Sequence, residues 1–120
     1  VEVYIKKCHE LGIPLGILSN WGNTLMPILD NLGWVPYFNV VISSLDIGYE
    51  KPDITAFQIF ASRMDIKPSQ ILFIGDSYKN DYLGAKRCGM PALLLKRSFG
   101  KKRIGSYMIP SLLNSLDFIS

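Results

Sequence analysis

An apolar tetrad, Ile71 to Ile74, runs directly into Gly75 and Asp76, and this junction most constrains how the chain can fold. The tetrad has the length and composition of a short buried strand. A carboxylate at the end of such a strand is costly unless it is paired or faces a cleft. In open α/β sheets that cleft lies beyond the carboxyl ends of the strands, where ligands bind. Asp76 is therefore read as the anchor of a site. A polar loop with a second carboxylate, Asp81, follows, and then a helix that stops at Gly89.

The remaining chain alternates helix and strand around this junction. Val1, Tyr4, Ile5 and Cys8 form the apolar stripe of a helix that Gly12 ends. Pro14 to Leu18 reads as a strand, with Ser19 and Asn20 at its carboxyl end. Leu25, Ile28, Leu29 and Leu32 repeat the helical stripe. Pro27 is tolerated only in a first turn, so this helix begins near Asn23 or Thr24, and Gly33 ends it. Asn39 to Ser43 has the β-branched character of a second buried strand, and Ser44 to Lys51 reads as a loop. Ile54, Phe57, Phe60, Ala61 and Met64 supply a third helical stripe, with Asp53 as a cap or first-turn charge. Pro68 and Ser69 punctuate the approach to the strand at Ile71, and Pro91 to Leu95 is a fourth strand. A basic loop (Lys96, Arg97, Lys101, Lys102, Arg103) then leads to a short helix around Ser111 to Leu116. Such alternation with short connections predicts one α/β domain, a parallel sheet covered by helices on both faces.

Composition narrows the function classes. The chain has 120 residues, enough for one domain with a buried core. A net charge of +3 is too small by itself to imply nucleic-acid or membrane binding. The basic loop carries Phe99 as its only aromatic and is read as solvated rather than as a nucleic-acid surface. No apolar run reaches membrane-spanning length and no signal peptide opens the chain. Cys8 and Cys88 fall in predicted helices, as unpaired thiols of a reducing compartment do, so an intracellular location, cytoplasmic or nuclear, is expected. His9 has no second ligand at metal spacing and is read as a surface residue. Trp21 and Trp34 are read as packing residues. Val1 already stands in helical periodicity, without a lead-in, and the chain is expected to be part of a longer one.

Ser19, Lys51 and Asp76, with Asp81 close behind, all fall at or soon after the carboxyl ends of predicted strands. Parallel strands aim those ends at one edge, so the four groups can share a cleft. Asp76 and Asp81 are hard oxygen ligands of the kind Mg²⁺ prefers. Lys51 supplies a point charge for a phosphate, and Ser19 with nearby backbone N–H groups supplies hydrogen-bond donors. Together they form the electrostatic clamp that phosphoryl transfer needs. Taken singly, Asp76 already points to function, but the other three have plainer roles. Ser19 is a cap, Lys51 a solvated loop lysine set against the helix dipole that follows it, and Asp81 a helix cap or a metal ligand. Order and spacing make the set specific.

These residues also carry a resemblance. Ile17-Leu18-Ser19-Asn20, Glu50-Lys51-Pro52-Asp53, and Gly75-Asp76-Ser77 with Asp81, Gly84-Ala85 and Gly89-Met90 resemble motifs two, three and four of the haloacid dehalogenase-like hydrolase superfamily. The match runs from about Val1 to Leu95. It implies a three-layer α/β/α Rossmann-like core with a parallel sheet. It also implies a Mg²⁺-dependent hydrolase, usually a phosphatase of small phosphorylated molecules working through an aspartyl-phosphate. By motif, Ser19 and Asn20 would bind the phosphoryl group, Lys51 would stabilise its charge and the nucleophile, and Asp76 with Asp81 would hold the metal.

The sequence departs from the family pattern at motif one, an Asp-x-Asp pair after an apolar strand. Asp30, Asp46, Asp53, Asp65 and Asp117 lie on helices or loops without that context. The nucleophile, the general acid/base and the substrate-selecting cap are thus missing from these residues, and the 120-residue chain is expected to be inactive alone. In this superfamily the motif-one strand lies between the strands ending at Ser19 and at Ile74. Its loss is expected to leave them ~10 Å apart with unpaired edges. Two non-catalytic readings compete: a pseudoenzyme that binds partners, and a phosphate- or metal-binding Rossmann-like module such as a receiver. In receivers the Lys-Pro follows the last strand, whereas here two strands come after Lys51 and Pro52.

Overall fold

The computed structural model describes residues 2–20, 25–95 and 108–109. The elements are α1 (Glu2–Glu10), β1 (Gly16–Ser19), α2 (Leu25–Leu32), β2 (Val40–Ser43), α3 (Ser44–Ile47), α4 (Ile54–Met64), β3 (Phe73–Gly75), α5 (Gly84–Arg87), β4 (Ala92–Leu95) and β5 (Met108–Ile109). Short 3₁₀ turns occupy Val35–Tyr37 and Pro68–Gln70, and a π-helical turn spans Tyr78–Leu83 ahead of α5. Among the described residues no helix is long and apolar enough to cross a membrane.

All strand pairs are parallel, but they form two half-sheets. In the first, β1 pairs with β2 from Gly16 against Val40 to Ser19 against Ser43. In the second, β3 pairs with β4, and β4 with β5. Among the described residues β1 and β3 do not pair with each other. A cavity of about 910 Å³ opens between them, lined by Ile17 and Leu18 on one side and by Phe73 and Ile74 on the other. This is the split sheet expected from the sequence.

Helix α4 bridges the halves. Ala56, Phe57, Phe60 and Ala61 are buried and join one cluster with Leu18 and Ile42 of the first half-sheet and Phe73 and Ala92 of the second. Phe57 and Phe60 both meet the Phe73 ring edge-on, at 5.0 and 6.4 Å between centroids, the favoured aromatic geometry. Helix α5 approaches α4 closely because Gly84 has no side chain, and a Cβ there would strike the Phe57 ring. Asp53 caps α4, its carboxylate accepting from the Thr55 N–H at 2.9 Å. The three glycines expected to stop helices, Gly12, Gly33 and Gly89, have φ of 72, 72 and 89°.

Several boundaries differ from the sequence expectation for local reasons. Strand β1 starts at Gly16 rather than at Pro14. Ahead of it the Leu15 N–H donates to the Asn39 side chain instead of a ladder partner. Strand β3 starts at Phe73 rather than Ile71, whose N–H closes the preceding turn on the Pro68 carbonyl. The expected loop from Ser44 contains the one-turn helix α3. In α2 only Leu25 and Leu29 are buried, while Ile28 and Leu32 are exposed, so its apolar stripe is narrower than read. In α1, Tyr4, Ile5 and Cys8 are buried as expected, and His9 is exposed, edge-on to Tyr37. Burial pushes the Cys8 and Cys88 thiols above their ordinary value, which keeps both protonated and unreactive near neutral pH. The basic loop and the last short helix lie outside the described residues.

Candidate active site

The four groups singled out in the sequence come to the carboxyl edge of the two half-sheets from three connections. Ser19 is the last residue of β1, half-buried and level with Ser43 of β2. Lys51 lies in the connection from α3 to α4. Asp76 follows the last residue of β3 and is exposed.

Asp81 is not at the start of a helix, as the sequence suggested, but inside the π-helical turn. The turn begins earlier because Ser77 caps it, its hydroxyl accepting from the Asn80 N–H at 3.1 Å. Ser is a favoured cap three residues ahead of its donor, a signal present in the sequence and not used.

The centre of the arrangement is an ion pair between Lys51 and Asp81. The Lys51 ammonium donates to Asp81 Oδ1 at 2.5 Å, and the Ser77 N–H donates to Oδ2 at 3.1 Å. Both side chains are largely shielded from water, 13% and 7% exposed. At such burial, removing one partner leaves the other charge stranded, at a cost of about 3–5 kcal/mol. The ammonium also lies 5.7 Å from the Phe73 ring centroid, within cation–π range. Gly75 makes room for the carboxylate, since a Cβ at that position would fall inside the Asp81 side chain.

Asn20 holds Lys51 from the other side. Its side-chain carbonyl accepts from the Lys51 N–H at 2.8 Å, and its amide donates to the Lys51 carbonyl at 3.1 Å. The Ser44 hydroxyl donates to the Asn20 carbonyl at 3.4 Å. Buried Ser43, overlooked in the sequence, donates to Asp46 at 3.1 Å beside them. No sequence signal links Asn20 to a residue 31 positions on; only the fold does.

These residues offer a cation, hydroxyl and amide donors and two carboxylates along one edge. Mg²⁺ takes one or two carboxylates and keeps waters, and the exposed Asp76 carboxylate fits that need. Asp81 is already engaged by an ammonium and an amide, so it can offer a metal only the lone pairs those bonds leave. Among the described residues no group of three or more His, Cys, Asp or Glu gathers as a metal cluster.

The comparison with known families agrees with this fold. The profile of the haloacid dehalogenase-like hydrolases matches residues 1–89, and the chain belongs to that family. It is 32% identical over 113 residues to haloacid dehalogenase-like hydrolase domain-containing protein 3 of Danio rerio, covering 94% of this chain and 47% of that protein. It is 40% identical over 83 residues to the phosphoglycolate phosphatase of Escherichia coli (strain K12), covering 68% of this chain and 32% of the enzyme. Among solved structures, a phosphatase of the same family from Thermococcus onnurineus superimposes with a TM-score of 0.87 at 28% identity, over 98% of this chain and 54% of that one. The chain thus spans about half, or less, of the length of the curated relatives it matches.

Proposed function

We propose that these residues are the phosphate- and metal-binding part of a Mg²⁺-dependent phosphatase acting on a small phosphate ester through an aspartyl-phosphate. The observation that carries this reading is the Lys51–Asp81 pair at the shared carboxyl edge, beside the cavity that separates β1 from β3. An anion at this edge meets the Lys51 charge, the Ser19 hydroxyl and the Asn20 segment, with Asp81 fixing where the ammonium sits. Asp76, with the free lone pairs of Asp81, would hold Mg²⁺, which neutralises charge on the phosphoryl oxygens when bound. No nucleophile of the required context is present among these residues. The reading therefore includes a further strand with an Asp-x-Asp pair, contributed by a longer protein and seated between β1 and β3.

Hydrolysis of a generic aryl phosphate in Mg²⁺ tests this, comparing the 120-residue chain with a version extended at its amino end to include such a strand. The expected outcome is turnover by the extended protein alone, abolished by Asp76→Asn and lowered at least ~100-fold by Lys51→Ala, the scale of losing one transition-state donor. An inert extended protein that binds phosphate would favour a binding module over an enzyme. Turnover by the 120-residue chain, lost on Asp76→Asn, would show that the extra strand is not needed.

A further inference from the structure

We infer that Asn20 is the positioning residue of Lys51 and acts on a bound phosphate through that lysine's main chain. The inference deepens the phosphatase reading and rests on it for the identity of the ligand, but the clamp itself stands on geometry. Lys51 lies in a connection whose residues Gly48, Tyr49 and Glu50 are exposed, and a lysine there has a flexible four-carbon stem. Its ammonium is fixed by Asp81, in the π-helical turn that follows β3 of the second half-sheet. Its peptide is fixed by Asn20, at the end of the first.

The two bonds close a ring between one planar amide and both main-chain groups of one residue, setting position and orientation together. Asparagine suits this role because its side chain both donates and accepts. Aspartate keeps only the acceptor for the Lys51 N–H, and alanine keeps neither. Because Asn20 follows Ser19 directly, the clamp also holds the hydroxyl donor at a set distance from the cation. A phosphate bound at this edge then meets a preformed pair of groups rather than a mobile loop.

Lysine acetylation by a limiting dose of acetic anhydride, read residue by residue by mass spectrometry on the 120-residue chain, tests the clamp without requiring turnover. Asn20→Ala is expected to raise the Lys51 rate about tenfold, the order of losing two hydrogen bonds, with Asn20→Asp falling between. The exposed Lys67 and Lys86 serve as controls and keep their rates. An unchanged Lys51 rate, or an equal rise at all three lysines from general loosening, overturns the clamp. Calorimetric binding of inorganic phosphate with Mg²⁺ completes the test. In a Lys51→Ala background Asn20→Ala should weaken phosphate no further, and a fully additive loss overturns action through Lys51. A parent chain that binds no phosphate, even when extended to include the Asp-x-Asp strand, counts against the phosphatase reading, and the labelling ratio then decides the clamp.

Discussion

The two half-sheets share parallel pairing and differ in the chemistry their carboxyl ends carry. The first ends in neutral donors, Ser19 and Asn20, and leads on to the cation Lys51. The second leads to the carboxylates Asp76 and Asp81. They differ in burial as well: three of the four residues of β4 are buried, against one of four in β1. Neither half is a site alone. Opposite charges are useful here only because two links hold the halves in register, the aromatic cluster under α4 and the Lys51–Asp81 pair at the edge. The first link is apolar and tolerant of exact geometry, while the second is directional and fails if either end shifts by an ångström or so.

Removing the apolar link should have the largest effect. Phe60→Ala, at a buried ring that lies against Gly16 of the first half and meets Phe73 of the second, should cost about 3–5 kcal/mol in urea unfolding. A loss under ~1 kcal/mol would mean that α4 does not bridge them. Gly75→Ala comes next. It drives a methyl into Asp81 and should cost about 1–3 kcal/mol, most of it absent when Asp81 is already alanine. If the cost persists there, crowding elsewhere and not the ion pair is responsible. Asp53→Ala touches neither link and should cost about 1 kcal/mol through the lost cap of α4, with the Lys51 acetylation rate unchanged.

The smallest effect concerns pH. Burial raises the folded thiols of Cys8 and Cys88, so the folded state holds their protons more tightly than the unfolded chain. That contribution is complete below the unfolded thiol range near ~8.5 and is lost as pH rises through the raised folded values. The urea midpoint should therefore fall between about pH 8 and pH 10 by less in Cys8→Ala/Cys88→Ala than in the parent. Equal falls would show that other groups set the alkaline limit.

Much of this was legible in the sequence, and the reasons are local. Apolar periodicity located α1, α2 and α4, with glycine stops for the first two, and β-branched or leucine-rich runs located β1 to β4 to within two residues, while β5 was not foreseen. The order of Ser19, Lys51, Asp76 and Asp81 told which strand ends meet, because parallel strands leave no other edge. What was not legible depends on partners distant in sequence or on competition at element ends. The Ile71 N–H goes to a turn, the Leu15 N–H to a side chain, and the Ser77 cap pulls Asp81 into a helical turn. The Asn20 clamp and the burial of Ser43 follow from the juxtaposition of β1, β2 and the Lys51 segment, which no single stretch encodes.

A double-mutant cycle at Lys51 and Asp81 tests the central claim, that a buried ion pair welds the two halves into one site. Unfolding free energies are compared for the parent, Lys51→Met, Asp81→Leu and the double variant. Each single change should cost about 3 kcal/mol by stranding a charge, while the double variant should lie within about 1 kcal/mol of the parent, a coupling of several kcal/mol. Additive losses, with a coupling inside ~0.5 kcal/mol of zero, would contradict the account.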